Sequence, residues 1–351
     1  MHPVTILSLA TRVPPHVLHQ ADVAERTRRI FPRLFERFSG LNDIFTNAGI
    51  ERRYSVRPIE WFDEPHDWSD RTRAYLEGAD ALYSAVAQDA LERAGLSAGN
   101  VDTIVSVSST GIATPSLDAR VAQRLGFRPD AHRVPVFGLG CAGGVSGLSI
   151  AARLARADPG TKILIVVLEL CTLAFRPDRN DKADVITTAL FGDGAAALVL
   201  RADDDRGVVT LKAAREHTWP ETLDIMGWSV DPAGFGVVLS RSLPQFVAQH
   251  LAAPTRRFAD DCGLSGNHRH VFHPGGARVL DAVEESLDLA SGALAQERAV
   301  LRDYGNMSAP TVLFVLERAL REGWQGDGVM AALGPGFTAS FLQFATAAGA
   351  A

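Results

Sequence analysis

Cysteine is scarce, and its scarcity excludes a disulfide scaffold. Only 3 of the 351 residues are cysteine, at Cys141, Cys171 and Cys262, an odd number without metal-type spacing that fits reduced thiols. Long apolar runs are missing too. None approaches the roughly 18 to 20 residues a membrane-spanning helix needs. The opening Met1-His2-Pro3-Val4-Thr5-Ile6-Leu7 has no basic segment ahead of an apolar stretch, so no secretory signal is visible. The expectation is a soluble, cytoplasmic protein. Basic charge is not in excess: the formal net charge is −6, a poor match to nucleic-acid binding. Short-period repeats and low-complexity tracts are also absent.

What remains is the composition of an ordinary globular protein, 46% hydrophobic and 22% charged, long enough for one large or two medium domains. Residues 4–10 alternate like a strand. Helical patterns follow over about 22–38 and 70–94, then an apolar strand at 103–108, a short helix near 116–125 and a fully apolar strand at 163–168. Strands this apolar, alternating with helices, predict a central sheet covered on both faces. The polar turn Asp203-Asp204-Asp205-Arg206-Gly207 is the best domain boundary. Beyond it the layout repeats: a helix over about 243–262, a strand at 270–272, a helix from Ala277, another over 308–322, and two closing strands around Gly334-Pro335-Gly336. The pattern predicts two similar α/β halves.

One stretch carries more chemistry than the rest. In Phe137-Gly138-Leu139-Gly140-Cys141-Ala142-Gly143-Gly144 a single cysteine ends an apolar run and heads a helical pattern. A thiol there faces unpaired N–H groups and the positive end of the helix dipole, both of which favour thiolate. His273, in His273-Pro274-Gly275-Gly276, leaves an apolar strand, and Asn306 and Ser308, in Tyr304-Gly305-Asn306-Met307-Ser308, precede an apolar helix that either residue could cap. Singly, each has an ordinary packing explanation. Jointly they supply a nucleophile, a proton-transferring imidazole and a neutral amide donor, which suits acyl transfer and decarboxylation. The order Cys, His, Asn also occurs in papain-like proteases, but the local context of the cysteine differs.

These segments, with Phe191-Gly192-Asp193-Gly194 and Gly334-Pro335-Gly336, occur in the order and spacing of the type III polyketide synthases, and the chain resembles these chalcone synthase-like enzymes over nearly its whole length. The resemblance implies a thiolase fold: a five-layered αβαβα core built from two similar halves, 1–206 carrying the cysteine and 207–351 carrying the histidine and asparagine. It implies a homodimer, with Thr114 near the dimer contact. It implies acyl-CoA and malonyl-CoA as substrates, with no metal or other cofactor. Cys141 would hold the acyl chain, and His273 would keep that thiolate ionised. His273 and Asn306 would bind the thioester oxygen of malonyl-CoA while it loses CO2.

Other positions follow by the same resemblance. Phe191 matches one gatekeeper phenylalanine, and Val237 aligns with the second, although nearby Phe235 leaves that assignment open. Cys171 and Ala174 fall where plant enzymes often have threonine, Trp228 where they often have glycine, and Ser109, Thr110 and Ser308 keep small polar character in the cavity. Gly275 and Gly276 fall in the CoA-binding turn. The basic helix positions that hold CoA phosphates in plant enzymes are Gly40, Asp43 and Asn47 here. Arg37, Arg52 and Arg53 are nearby substitutes, since guanidinium suits phosphate, and delivery of the starter by an acyl carrier protein is an alternative. Met226-Gly227-Trp228 and the cysteine context look most like bacterial alkylresorcinol and alkylpyrone synthases. The expected reaction is iterative condensation of a fatty acyl starter with malonyl units. The alternatives are a single-condensation enzyme like ketoacyl-ACP synthase III, or a non-catalytic subunit of the same fold.

Overall fold

The computed structural model describes residues 2–346 apart from 180, 205, 206, 208 and 265–267. Asp205 and Arg206, on which the expected boundary between halves falls, lie outside the described residues. Nine strands form one continuous sheet: β1 (Val4–Arg12), β2 (Thr103–Val107), β3 (His132–Val136), β4 (Lys162–Leu170), β5 (Asp193–Ala202), β6 (Val209–Thr218), β7 (Arg269–Phe272), β8 (Gly326–Gly334) and β9 (Thr338–Thr346). Their spatial order is 7-8-9-6-1-5-4-2-3. β-Branched and leucine side chains fill β4, buried along nearly its entire length, as a strand covered on both faces requires.

Within the sheet the two halves pair through Val4 with Leu211, Thr5 with Thr210 and Ile6 with Val209 among the described residues. β2 runs parallel to both β3 and β4, and β7 runs parallel to β8. Between the two parts of the sheet lie the helices Gly143–Ala157 and Thr311–Arg321. The first touches β4 and β5 on one side and β8 and β9 on the other, and the second touches β1, β5, β7 and β8. Outside them, helix Trp68–Arg93 covers β1, β4 and β5, while Leu280 and Val283 of helix Ala277–Ser286 pack with Phe272, Val329 and Phe341 of the other part. The result is the five-layered α/β arrangement of the thiolase fold.

The two central helices approach closely because their contact is made of small residues. A Cβ added at Gly144 would lie 2.2 Å from the Ala309 carbonyl oxygen, well inside any real carbon–oxygen contact. This contact places the start of the cysteine-bearing helix against the segment that follows Asn306 and Ser308.

Three expected elements differ in detail. The helix expected over about 22–38 breaks into Gln20–Ile30 and Pro32–Arg37, with Phe31 outside helical geometry, because a proline disfavours helical backbone at the residue before it. The helix over 243–262 is two, Leu243–His250 and Ala252–Asp261, since Pro254 supplies no N–H to continue the ladder. The C-terminal helix begins at Thr311, capped by neither Asn306 nor Ser308. No helix among the described residues is long and apolar enough to cross a membrane.

Candidate active site

Cys141 follows β3 in a tight turn, Gly140–Ala142, that leads directly into the central helix. Gly334 seats this turn: a Cβ there would stand 2.6 Å from both the Ala142 Cβ and the Leu139 oxygen. His273 leaves the end of parallel β7, its N–H donating to Ala331 O of β8 at 2.8 Å. Asn306 precedes the second central helix. Cys171 leaves the end of β4. Chain crossings at the carboxyl ends of parallel strands are where open α/β sheets bind ligands, and these residues meet there in one cavity.

Asn306 is locked from three sides. Its Nδ2 donates to Gly275 O at 3.0 Å, its Oδ1 accepts from Ser308 N at 2.8 Å, and its backbone pairs with Leu190 and Gly192 around Phe191. The first two bonds replace the capping role: they fix the amide plane and leave one N–H of Nδ2 for a ligand. Ser308 stands at φ 58°, an uncommon conformation for a residue other than glycine, and the turn it makes carries its hydroxyl to the Cys141 sulfur.

Burial dominates the electrostatics. It pushes the Cys141 thiol up to about 11, against a hydrogen bond from Ser308 that favours the thiolate, with the charge of Glu169 adding to the rise. It pushes the His273 imidazole down to about 3. Both ring nitrogens of His273 are buried without a hydrogen-bond partner, a state native proteins rarely tolerate outside functional sites. Burial thus works against the charged form of both groups in the unliganded chain.

The remaining sequence-selected residues divide by location. Ser109, Thr110, Cys171, Phe191, Trp228, Val237, Gly275 and Ser308 line the same cavity as the three central residues. Val237 lies directly across the hairpin from Trp228, whereas Phe235 packs against Trp68 and Trp228 outside the cavity lining. Val237 is thus the wall residue of the pair. Ala174 lines a neighbouring cavity that shares Cys171, Phe191 and Val237 with the first. Gly276 caps helix Ala277–Ser286 outside the lining, and Thr114 is exposed. Arg52 is half exposed and 3.9 Å from Asp303. Arg53 is only 1% exposed and faces the second cavity, so it does not stand where a surface phosphate would.

Sequence reasoning passed over Glu169. It is fully buried, accepts from Ser109 N (2.9 Å) and Thr110 Oγ1 (2.8 Å), and burial raises its carboxyl to about 7. Ser109 in turn accepts from Gly138 N and Gly140 N and receives the Trp228 indole N–H on its carbonyl at 2.9 Å. One carboxyl thus braces the cysteine turn and the Trp228 wall. The signal was present: Glu169 is the only charged residue in Ile163–Leu170.

Comparison with known proteins gives this geometry a family. Residues 2–204 match the N-terminal domain of chalcone and stilbene synthases, and residues 210–345 match their C-terminal domain. The chain belongs to the chalcone and stilbene synthase family, and it is a type III polyketide synthase, an enzyme of the acyltransferase class. A putative chalcone synthase of Bacillus subtilis (strain 168) is 37% identical over 98% of this chain and 99% of its own. The 1,3,6,8-tetrahydroxynaphthalene synthase of Streptomyces peucetius subsp. caesius is 37% identical over 96% of this chain and 92% of its own. The alpha-pyrone synthesis polyketide synthase-like Pks18 of Mycobacterium tuberculosis (strain ATCC 25618 / H37Rv) is 31% identical over 97% and 90%. Among solved structures, the 1,3,6,8-tetrahydroxynaphthalene synthase of Streptomyces coelicolor A3(2) superposes with a TM-score of 0.92 at 31% identity, covering 97% of this chain and 99% of that one.

Proposed function

We propose that the enzyme loads a fatty acyl starter on Cys141, extends it with two or three malonyl units from malonyl-CoA, and releases an alkylpyrone or alkylresorcinol. The observation that carries the choice of starter is the apolar cavity, in whose wall position 237 is valine. An alkyl chain needs such room, and an aromatic residue at 237 would narrow it. The name of the relative from Mycobacterium tuberculosis supports a pyrone product, while those of the tetrahydroxynaphthalene synthases make that product the main competitor.

In this reading the neutral imidazole of His273 takes the thiol proton as the Cys141 sulfur attacks the thioester carbon. The Cys141–acyl bond forms, the carbon–sulfur bond to CoA breaks, and the CoA thiolate leaves with a proton. Malonyl-CoA then enters with its thioester oxygen toward His273 and the free Asn306 N–H. Loss of CO2 leaves the electron pair as an enolate, and these donors stabilise its oxygen. The enolate carbon attacks the acyl-Cys141 carbonyl and frees the sulfur, and the β-ketoacyl chain leaves on CoA for the next round. No metal or redox cofactor takes part. The enzyme works as a cytoplasmic homodimer with Thr114 toward the partner's cavity, and Arg52 and the Gly275-Gly276 turn contact CoA. Delivery of the starter by an acyl carrier protein remains a second route, since the positions basic in plant enzymes are Gly40, Asp43 and Asn47.

Purified enzyme given malonyl-CoA and a panel of starters tests the reading by product mass. Long acyl starters should give products of two or three extensions, and Cys141→Ala should give none. Turnover of malonyl or aryl starters in preference to long acyl chains would overturn the starter assignment, and single extensions would point to a ketoacyl synthase III-like enzyme.

A further inference from the structure

The second cavity has a feature the condensation chemistry does not use. It is bounded by helices Gln20–Ile30 and Lys182–Leu190 and by the turn after β4, with Val23, Ile30, Ile59 and Phe175 among its walls. Into this apolar lining the chain places Arg53, whose guanidinium Nη2 donates to Gln20 Oε1 at 2.7 Å while Nη1 is buried without any partner. Gln20 cannot turn to help further, because its amide nitrogen is held by Phe45 O and Ala189 O. No carboxylate of the described residues acts on Arg53. Its guanidinium feels only burial. The other cation of this cavity, Arg26, is already neutralised at the surface by Glu60 and Asp63.

A buried guanidinium without a counter-charge is unfavourable, and the group that best satisfies it is a carboxylate. Asp63, itself one of the lining residues, is engaged with Arg26 and does not reach Arg53 as a counter-charge. The wall shared through Cys171, Phe191 and Val237 adjoins the reaction cavity.

We propose that this second cavity is a binding site for a free carboxylic acid carrying an alkyl chain, with Arg53 as the carboxylate anchor and Val23, Ile30, Ile59 and Phe175 as the chain wall. Two sources share that chemistry: a fatty acid, and an alkylated aromatic acid formed when a cyclised polyketide keeps its carboxyl group. The site is defined by binding and not by turnover, so it stands or falls separately from the choice of starter.

Calorimetric titration of the full chain with decanoate, decanol and a pentyl-substituted salicylate tests it. Decanoate should bind about tenfold or more tighter than decanol, the effect of one charge-assisted hydrogen bond pair. In Arg53→Gln that preference should vanish, and in Arg53→Lys it should survive in part. In Val23→Trp, which fills the cavity, both decanoate and decanol should weaken. Equal binding of acid and alcohol by the unaltered enzyme would overturn the proposal, as would a retained preference in a folded Arg53→Gln. If Arg53→Gln fails to fold, Val23→Trp decides, and unchanged decanoate affinity there would place the acid elsewhere and end the idea. The tighter of the two acids identifies the source, and binding of neither refutes the site.

Discussion

Replacing Gly144 by alanine tests whether the contact between the central helices sets the catalytic geometry. The added Cβ would fall 2.2 Å from Ala309 O and 3.0 Å from Val312 Cγ1. The nearer atom is backbone, so no side chain can swing aside, and relief needs a relative shift of about 1 Å to reach ordinary contact. Overpacking of this kind costs roughly 1–3 kcal/mol. Against it stands the helix preference of alanine over glycine, at most about 1 kcal/mol and less here, because Gly144 is in the first turn. The steric term wins, and urea unfolding should show a net loss of about 1–2 kcal/mol. The functional loss should be larger, because the displaced partner directly follows Ser308 and Asn306. A misplacement of about 1 Å can cost on the order of 100-fold in rate, which CO2 release from malonyl-CoA would report. Gly99→Ala is the control, since a Cβ there meets nothing nearer than 3.8 Å. If Gly144→Ala kept full stability and full decarboxylation, the central contact would not position the site.

Four further outcomes are expected. Asn306→Ala should slow decarboxylation by about 100-fold or more while acylation of Cys141 falls much less, and equal loss of both steps would contradict its assigned role. Val237→Phe should lower turnover of long acyl starters by at least about tenfold relative to short ones, and unchanged chain-length preference would remove Val237 from the throat. Alkylation of Cys141 by iodoacetamide in the free enzyme should accelerate steadily from pH 7 to pH 10, because its thiol is held up near 11. A rate flat from pH 6 upward would instead reveal a standing thiolate–imidazolium pair. Glu169 has its folded value raised to about 7 from an ordinary 4.5, so in that window the native state binds more protons than the unfolded one and stability falls as pH rises. Glu169→Gln should remove its share of that fall, about 1.4 kcal/mol for each pH unit between the two values, and leave the shares of Asp193 and Glu297, which burial also raises to about 7. An unchanged pH profile of urea unfolding would show that Glu169 is not the group responsible.

Much of the site was legible in the sequence because catalytic groups of this kind stand at the ends of regular elements, where apolar patterns stop. Cys141, His273 and Asn306 each follow such a stop, and the structure brings them to one cavity. The breaks in the long helices were also written in the sequence, at Pro32 and Pro254, but periodicity alone runs across them. Local sequence leaves capping open as an alternative for Asn306, because it cannot show a partner 31 residues away, the Gly275 carbonyl.

The sequence by itself determined the layered α/β fold, the family and the three residues that meet at the strand ends, since each is carried by a local pattern of apolar spacing, glycines and one chemical group. Only the tertiary structure decided that burial disfavours the charged forms of Cys141 and His273, that Val237 and not Phe235 walls the cavity, and that Arg53 points inward beside a second cavity instead of outward to a phosphate. These are questions of burial and of contact between distant segments. Charge state and side-chain exposure depend on what the rest of the chain packs around a residue, and no stretch of sequence contains its own surroundings.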